Sequence, residues 1–242
     1  MYEKLQLSGQ AGRLAAHFYP PAAKGPVPGI VLSHGITSCK ENYADIAEFL
    51  QGQGFAVLAY DCRGHGESDG ALDGNAWQDV ATALTYLQGR PEVDPKRVGL
   101  VGSSMGAHNG LRAAAELPTL GTVVAFCTAP GEQIQQGLLN ADYWHWIQLS
   151  GGHVRVALPE YLLYLESANL QDLPQRIGPR PILFIHARDD EFVPYSVSER
   201  LYALAAEGSR LWLLDSGGHT GPRHDPEVQR GVAEWLREKL RG

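Results

Sequence analysis

The chain has 242 residues, 44% of them hydrophobic and 19% charged. That balance excludes a disordered chain and suits a globular one able to bury its own core. The formal net charge is −7, and no long basic run is present, which argues against nucleic acid as a partner. The three cysteines, Cys39, Cys62 and Cys127, have no C-x-x-C or Cys/His ligand spacing. Neither a disulfide scaffold nor a structural zinc site is expected.

The N-terminus, Met1-Tyr2-Glu3-Lys4-Leu5-Gln6, has no apolar h-region, so no secretory signal is expected. The longest apolar stretches, such as Pro181 to Ile185, are too short to span a bilayer. The expectation is a cytoplasmic protein without a membrane partner and with reduced thiols. Lys4 to Ser8 and Arg13 to Tyr19, around Gly9-Gln10-Ala11-Gly12, predict a β-hairpin with a loop longer than two residues.

A rhythm then begins. Short apolar runs at 29–33, 55–60, 98–101, 123–126, 182–185 and 211–214 suit strands buried on both faces. Helical spacing separates them at 43–51, 77–87, 105–117, 196–206 and 226–240. This alternation predicts a mostly parallel sheet of eight strands, hairpin included, flanked by helices. One interval breaks the pattern. Between the sixth and seventh strands, residues 131–173 are far more than the dozen or so that a single crossover helix needs. They are read as a short helical cap within one domain spanning 1–242. Its aromatic stretch Tyr143-Trp144-His145-Trp146 makes Trp144 and Trp146 candidate pocket walls, with cap core as the plainer alternative.

The strongest chemical signal is Gly102-Ser103-Ser104-Met105-Gly106, which ends a predicted strand and opens a predicted helix. That is the context of a G-x-S-x-G elbow, where a strained turn lifts the serine hydroxyl out of the sheet. The helix N-terminus then puts amide N–H groups beside the reacting atom. Serine needs a base, and position selects among the nine histidines. His219 follows the final strand in a glycine-rich loop, with His224 as the rival. The base needs a carboxylate to fix its tautomer. Asp190, from Asp189-Asp190-Glu191 after the penultimate strand, is the choice, its two neighbours being read as solvated or loop-capping. The chain order is Ser104, Asp190, His219.

The chain resembles the α/β-hydrolase superfamily over nearly its whole length. The resemblance rests on His34-Gly35, on Asp61-Cys62-Arg63-Gly64-His65-Gly66-Glu67-Ser68, on the elbow, and on the Asp190 and His219 loops. Within it, the chain is similar to small bacterial serine esterases of the cinnamoyl/feruloyl type and to serine-aminopeptidase-like hydrolases. The resemblance implies that Asp190, followed after two residues by Val193-Pro194, is the triad acid. It places the oxyanion donors on the backbone N–H groups of Ile36 and Met105. Arg63 and His65 are read as loop ties. Two departures stand out: Ala187 where relatives often carry glycine, and Ile36 where many carry an aromatic residue.

The expected activity is therefore cleavage of a small-molecule ester through an acyl-enzyme, with no cofactor and no metal. A peptidase, an amidase or a perhydrolase would use the same triad, and a non-catalytic binding protein on this fold is the remaining class. An exposed edge strand or cap leaves a homodimer open.

Overall fold

The computed structural model describes residues 1–23, 25–142, 145 and 154–241. Eight strands form one sheet: β1 (Glu3–Gly9), β2 (Gly12–Tyr19), β3 (Val27–Ser33), β4 (Ala56–Tyr60), β5 (Val93–Ser103), β6 (Leu120–Phe126), β7 (Ile182–Ala187) and β8 (Arg210–Leu214). Their spatial order is β1-β2-β4-β3-β5-β6-β7-β8. From β4 to β8 all neighbours run parallel, while β1 and β2 form the antiparallel edge. The hairpin departs from expectation. Gly9 pairs with Gly12, leaving only Gln10 and Ala11 between the strands, and Gly12 takes a φ of +116°. Ladder pairing extends through both glycines, which the apolar pattern does not mark.

Described helices are α1 (Ala44–Gly52), α2 (Trp77–Gln88), α3 (Met105–Glu116), α4 (Gly131–Leu139), α5 (Leu158–Ser167), α6 (Leu173–Ile177), α7 (Ser196–Ala203), α8 (Gly221–His224) and α9 (Pro226–Lys239). The continuous apolar runs have a simple cause. Successive residues of a strand face opposite sides of the sheet, and both sides are covered. Ile30 and Leu32 join the core packed under α1 and α9, whereas Val31 joins the core under α2 and α3. Helix α9 begins cleanly because the Asp225 carboxylate accepts the N–H groups of Glu227 and Val228, and Pro226 needs no donor.

The cap follows the sixth strand, as expected. Among its described parts, α4 packs on α5, and residues 154–157 return along the Gly64–Leu72 loop. There Leu72 and Val156 form a β-bridge, and the Arg155 guanidinium donates to the carbonyls of Ser68 and Gly70. Trp144 and Trp146 lie outside the described residues.

A buried ion cluster holds the loop after β4. Lys40 Nζ lies 2.8 Å from Asp61 Oδ2, with both side chains essentially buried, and it also meets Glu41 and Glu67. Burial opposes the Lys40 charge, but the hydrogen bonds to Asp61, Glu41 and Glu67 outweigh it and raise its pKa. Removing the ammonium leaves a buried carboxylate unpaired. Lys40→Met should therefore lower the unfolding free energy by about 3–5 kcal/mol in urea titrations. A change below 1 kcal/mol, taken as about the worth of a surface pair, would contradict this account.

Candidate active site

The sheet brings the sequence-selected residues to the ends of β3, β5, β7 and β8. Ser104 sits between β5 and α3 with φ 55° and ψ −119°. It is one of two described non-glycine residues with positive φ. Such backbone is costly for a residue with a side chain and persists only where its surroundings enforce it. The flanking glycines explain how the turn closes. A Cβ on Gly102 would lie 2.5 Å from the Gly106 carbonyl oxygen, and one on Gly106 only 2.1 Å from that of Ser33. The Ser104 amide donates to Phe126 O at 2.9 Å, tying the turn to β6.

The second half of the site is a hydrogen-bonded carboxylate. His219 Nδ1 lies 2.8 Å from Asp190 Oδ2; the acid side chain is fully buried and that of the histidine is 14% exposed. Asp190 Oδ1 accepts the N–H groups of Phe192 and Val193, each at 2.9 Å. Burial alone would raise the pKa of Asp190. Hydrogen bonds from His186 and His219 reverse this and hold the carboxyl well below its usual range. Asp189 accepts the Gly218 N–H at 2.8 Å and so fixes the backbone beside His219. Of the two readings kept for Asp189, loop capping is the one the geometry fits.

The His34–Ile36 loop lies against this centre. An ideal Cβ on Gly35 would be 3.4 Å from Ser104 Cβ. His34 donates from Nδ1 to Gly35 O at 2.8 Å and accepts the Cys62 N–H on Nε2 at 2.9 Å. His65 Nε2 is 2.9 Å from Ile36 O, which fixes the peptide next to the candidate oxyanion donor. Ile36 is buried, and Met105 is the first residue of α3, where an N–H has no intrahelical partner. Arg63 forks onto Asp79 and reaches Asp73, as expected of a loop tie. Burial lowers the pKa values of His34 and His65, the latter to about 3, so both rings are neutral near pH 7. Ser104 Oγ and His219 Nε2 are not hydrogen-bonded here. Such contacts commonly tighten only around bound substrate.

The rival base is elsewhere. His224 is half exposed and bonds Asp45 at 2.7 Å while its other nitrogen accepts from Arg223. His186 stands near the end of β7. It is fully buried, with Nδ1 2.7 Å from Ser198 Oγ and Nε2 3.0 Å from both Asp190 Oδ2 and Val193 O. Its position four residues before Asp190 is the signal that could have marked it. His108 is likewise buried, joining Ala129 O to the Tyr164 hydroxyl of the cap, and burial pushes its pKa down to about 4. His145 is exposed, and His153 lies outside the described residues. Phe192, half exposed, meets the His219 ring edge-on at 5.5 Å; sequence reasoning missed it because a loop aromatic has no periodicity.

Ligand atoms of Cys127, His186 and Asp190 lie within 4.8 Å of one another. Hydrogen bonding among these groups and Val193 O accounts for the arrangement, since His186 Nε2 is already committed. A cleft of about 390 Å³, lined by Glu132, Leu165, Val197 and Arg200 among others, lies between cap and α7; none of Ser104, Asp190 and His219 lines it.

This sheet order, the strained serine after β5 and the carboxylate–histidine pair after β7 and β8 define an α/β-hydrolase. Residues 25–175 match the family model described as Serine aminopeptidase, S33 (Hydrolase_4), and the chain belongs to that family. It is 28% identical over 220 residues to the uncharacterized protein Rv2307c of Mycobacterium tuberculosis, covering 90% of this chain and 71% of that one. It is 28% identical over 193 residues to the Bacillus subtilis protein named "Putative esterase YitV", covering 73% of each. The crystal structure of the α/β hydrolase GrgF from Penicillium sp. sh18 aligns with a TM-score of 0.82 at 20% identity, covering 99% of both chains.

The Asp190 environment makes a pH-dependent prediction. Its pKa is lower folded than unfolded, where it is near 4. The stability it contributes is present above about pH 4 and is lost as pH falls toward the folded value. Asp190→Asn should destabilise the protein by about 1.5–3 kcal/mol at pH 7. The gap from wild type, measured by urea unfolding, should narrow progressively below about pH 4; a constant gap would contradict it.

Proposed function

We propose that the protein is a serine hydrolase that cleaves carboxylic esters, with small to medium acyl or aryl esters as substrates. The observation that carries this reading is the 2.8 Å Asp190–His219 bond at the sheet end that also bears the strained Ser104 turn. His219 Nδ1–H points at Asp190, which leaves Nε2 as the basic nitrogen. Nε2 takes the Ser104 proton as Oγ attacks the ester carbonyl. The oxyanion is received by the N–H groups of Ile36 and Met105, each worth about 3 kcal/mol in such sites. His219 then protonates the departing alcohol. A water, deprotonated by the same nitrogen, releases the acid and restores Ser104. Each step is carried by side chains and backbone of this chain.

Similarity to the protein named as a putative esterase supports the ester reading. The family's description favours a second one, in which the same groups cleave an aminoacyl amide. Leaving-group basicity separates them, since an amine must be protonated before it can depart. Trp144 and Trp146 of the cap are proposed as pocket walls.

A fluorophosphonate probe should label wild type on Ser104, and Ser104→Ala should abolish labelling. On p-nitrophenyl esters, Ser104→Ala and His219→Ala should each lower kcat/KM by about 10⁴-fold or more. His224→Ala, acting on a surface pair, should stay near wild type. Labelling that persists in Ser104→Ala, or activity lost only in His224→Ala, would overturn the assignment. Rates on aminoacyl amides equal to those on esters would favour the peptidase reading.

A further inference from the structure

Asp190 is held by two histidines, and the mechanism above uses only one. Both ring contacts fall on the same oxygen: His219 Nδ1 at 2.8 Å and His186 Nε2 at 3.0 Å from Oδ2. The proton on His186 can be placed from its partners. Asp190 Oδ2 and Val193 O only accept, so Nε2 carries a hydrogen, and Nδ1 is left to accept from the Ser198 hydroxyl at 2.7 Å. A neutral ring with its proton on Nε2 satisfies every contact. Ser198 on α7 is itself fully buried. The chain of hydrogen bonds therefore runs from α7 through β7 to the acid and on to His219.

From this geometry we infer that His186 is a positioning residue for the proposed reaction: it orients Asp190 and, by sharing Oδ2 with His219, sets the pH above which His219 can act as base. The inference rests on the triad reading given above. A histidine that merely filled core would need neither nitrogen aimed at the site, and an apolar side chain would fill the space without a desolvation cost. Here the donor lies on the oxygen that must stabilise the imidazolium. Each donor on a carboxylate disperses part of its charge. With His186 in place, Asp190 supports the protonated form of His219 less strongly than a carboxylate free of that donor would. Removing it should raise the affinity of His219 for its proton and move the acid limb of the rate profile upward.

Other ionisable groups face the same centre. Asp189 and Glu191 lie on the same loop, with Asp189 bonded to Gly218 and Glu191 near it. Cys127 approaches from the end of β6, and burial keeps its thiol protonated. All three remain unchanged in the variants below, so a shift between variants reports on His186.

The test compares wild type, His186→Leu, His186→Gln and Asp190→Asn on p-nitrophenyl butyrate across pH, with folding checked by urea unfolding. His186→Leu should lower kcat/KM by about 10- to 100-fold, the range for small misplacement of catalytic groups. It should also raise the acid limb by about 0.5 unit or more. His186→Gln, whose amide can donate from nearly the same place, should recover most of the rate and the wild-type limb. A purely structural role would lower stability and leave the limb where it was. Collapse in Asp190→Asn, with a folded His186→Leu at wild-type rate and limb, overturns this inference alone. Wild-type activity in Asp190→Asn overturns the triad reading as well. If His186→Leu does not fold, nitrogen NMR of the wild-type imidazoles decides: protonation on Nε2 of His186 supports the inference, and protonation on Nδ1 alone overturns it.

Discussion

The site depends on how closely α3 approaches the end of β3. The gap between the Gly106 Cα and the Ser33 carbonyl has no room for a methyl group. That closeness forces the chain to reverse within a residue or two, and Ser104 takes the resulting left-handed backbone. In a strand–turn–helix of this kind such strain presents the serine hydroxyl above the sheet edge, beside the first N–H groups of the helix. The parallel strands around it supply the remaining parts, because their C-terminal ends all open on one side. β3 delivers the His34–Ile36 loop, β7 delivers Asp190 and β8 delivers His219.

Around that turn, ionisable groups are sorted by their partners. His34, His65 and His108 are buried, neutral and engaged with backbone or hydroxyl groups, which makes them braces. His219 keeps partial exposure and one nitrogen toward the acid, the arrangement that the proposed role of base requires. Asp190 carries four donors and stays ionised, so it can hold an imidazolium without taking its proton. The Lys40–Asp61 cluster stabilises the loop that contributes His65, and His65 in turn holds Ile36. An electrostatic contact remote from Ser104 is thereby linked to the loop that carries the candidate oxyanion donor Ile36.

Most of this architecture was legible in the sequence for identifiable reasons. Strands buried on both faces leave unbroken apolar runs, and the elbow needs small residues at fixed spacing, so β3 to β8 and Ser104 could be placed. The Asp190–His219 pair followed from chain order and loop position. What escaped was set by tertiary contact. The two-residue hairpin turn depends on ladder pairing through Gly9 and Gly12, which carry no apolar signal. His186 meets Asp190 only because the folded loop bends the acid back onto it. Phe192 acquires meaning only through the His219 ring beside it. The bridge from Arg155 and Val156 to the Gly64–Leu72 loop joins segments more than 80 positions apart, beyond the reach of any local pattern.

The central claim is a covalent intermediate on Ser104. Rapid acid quenching during turnover of a p-nitrophenyl ester, followed by intact-mass and peptide mass spectrometry, tests it directly. An added acyl group is expected on the peptide containing Ser104, one that forms with the nitrophenol burst and decays with turnover. Steady hydrolysis that leaves Ser104 unmodified while an acyl group appears on another side chain, or that continues undiminished in Ser104→Ala, would contradict it.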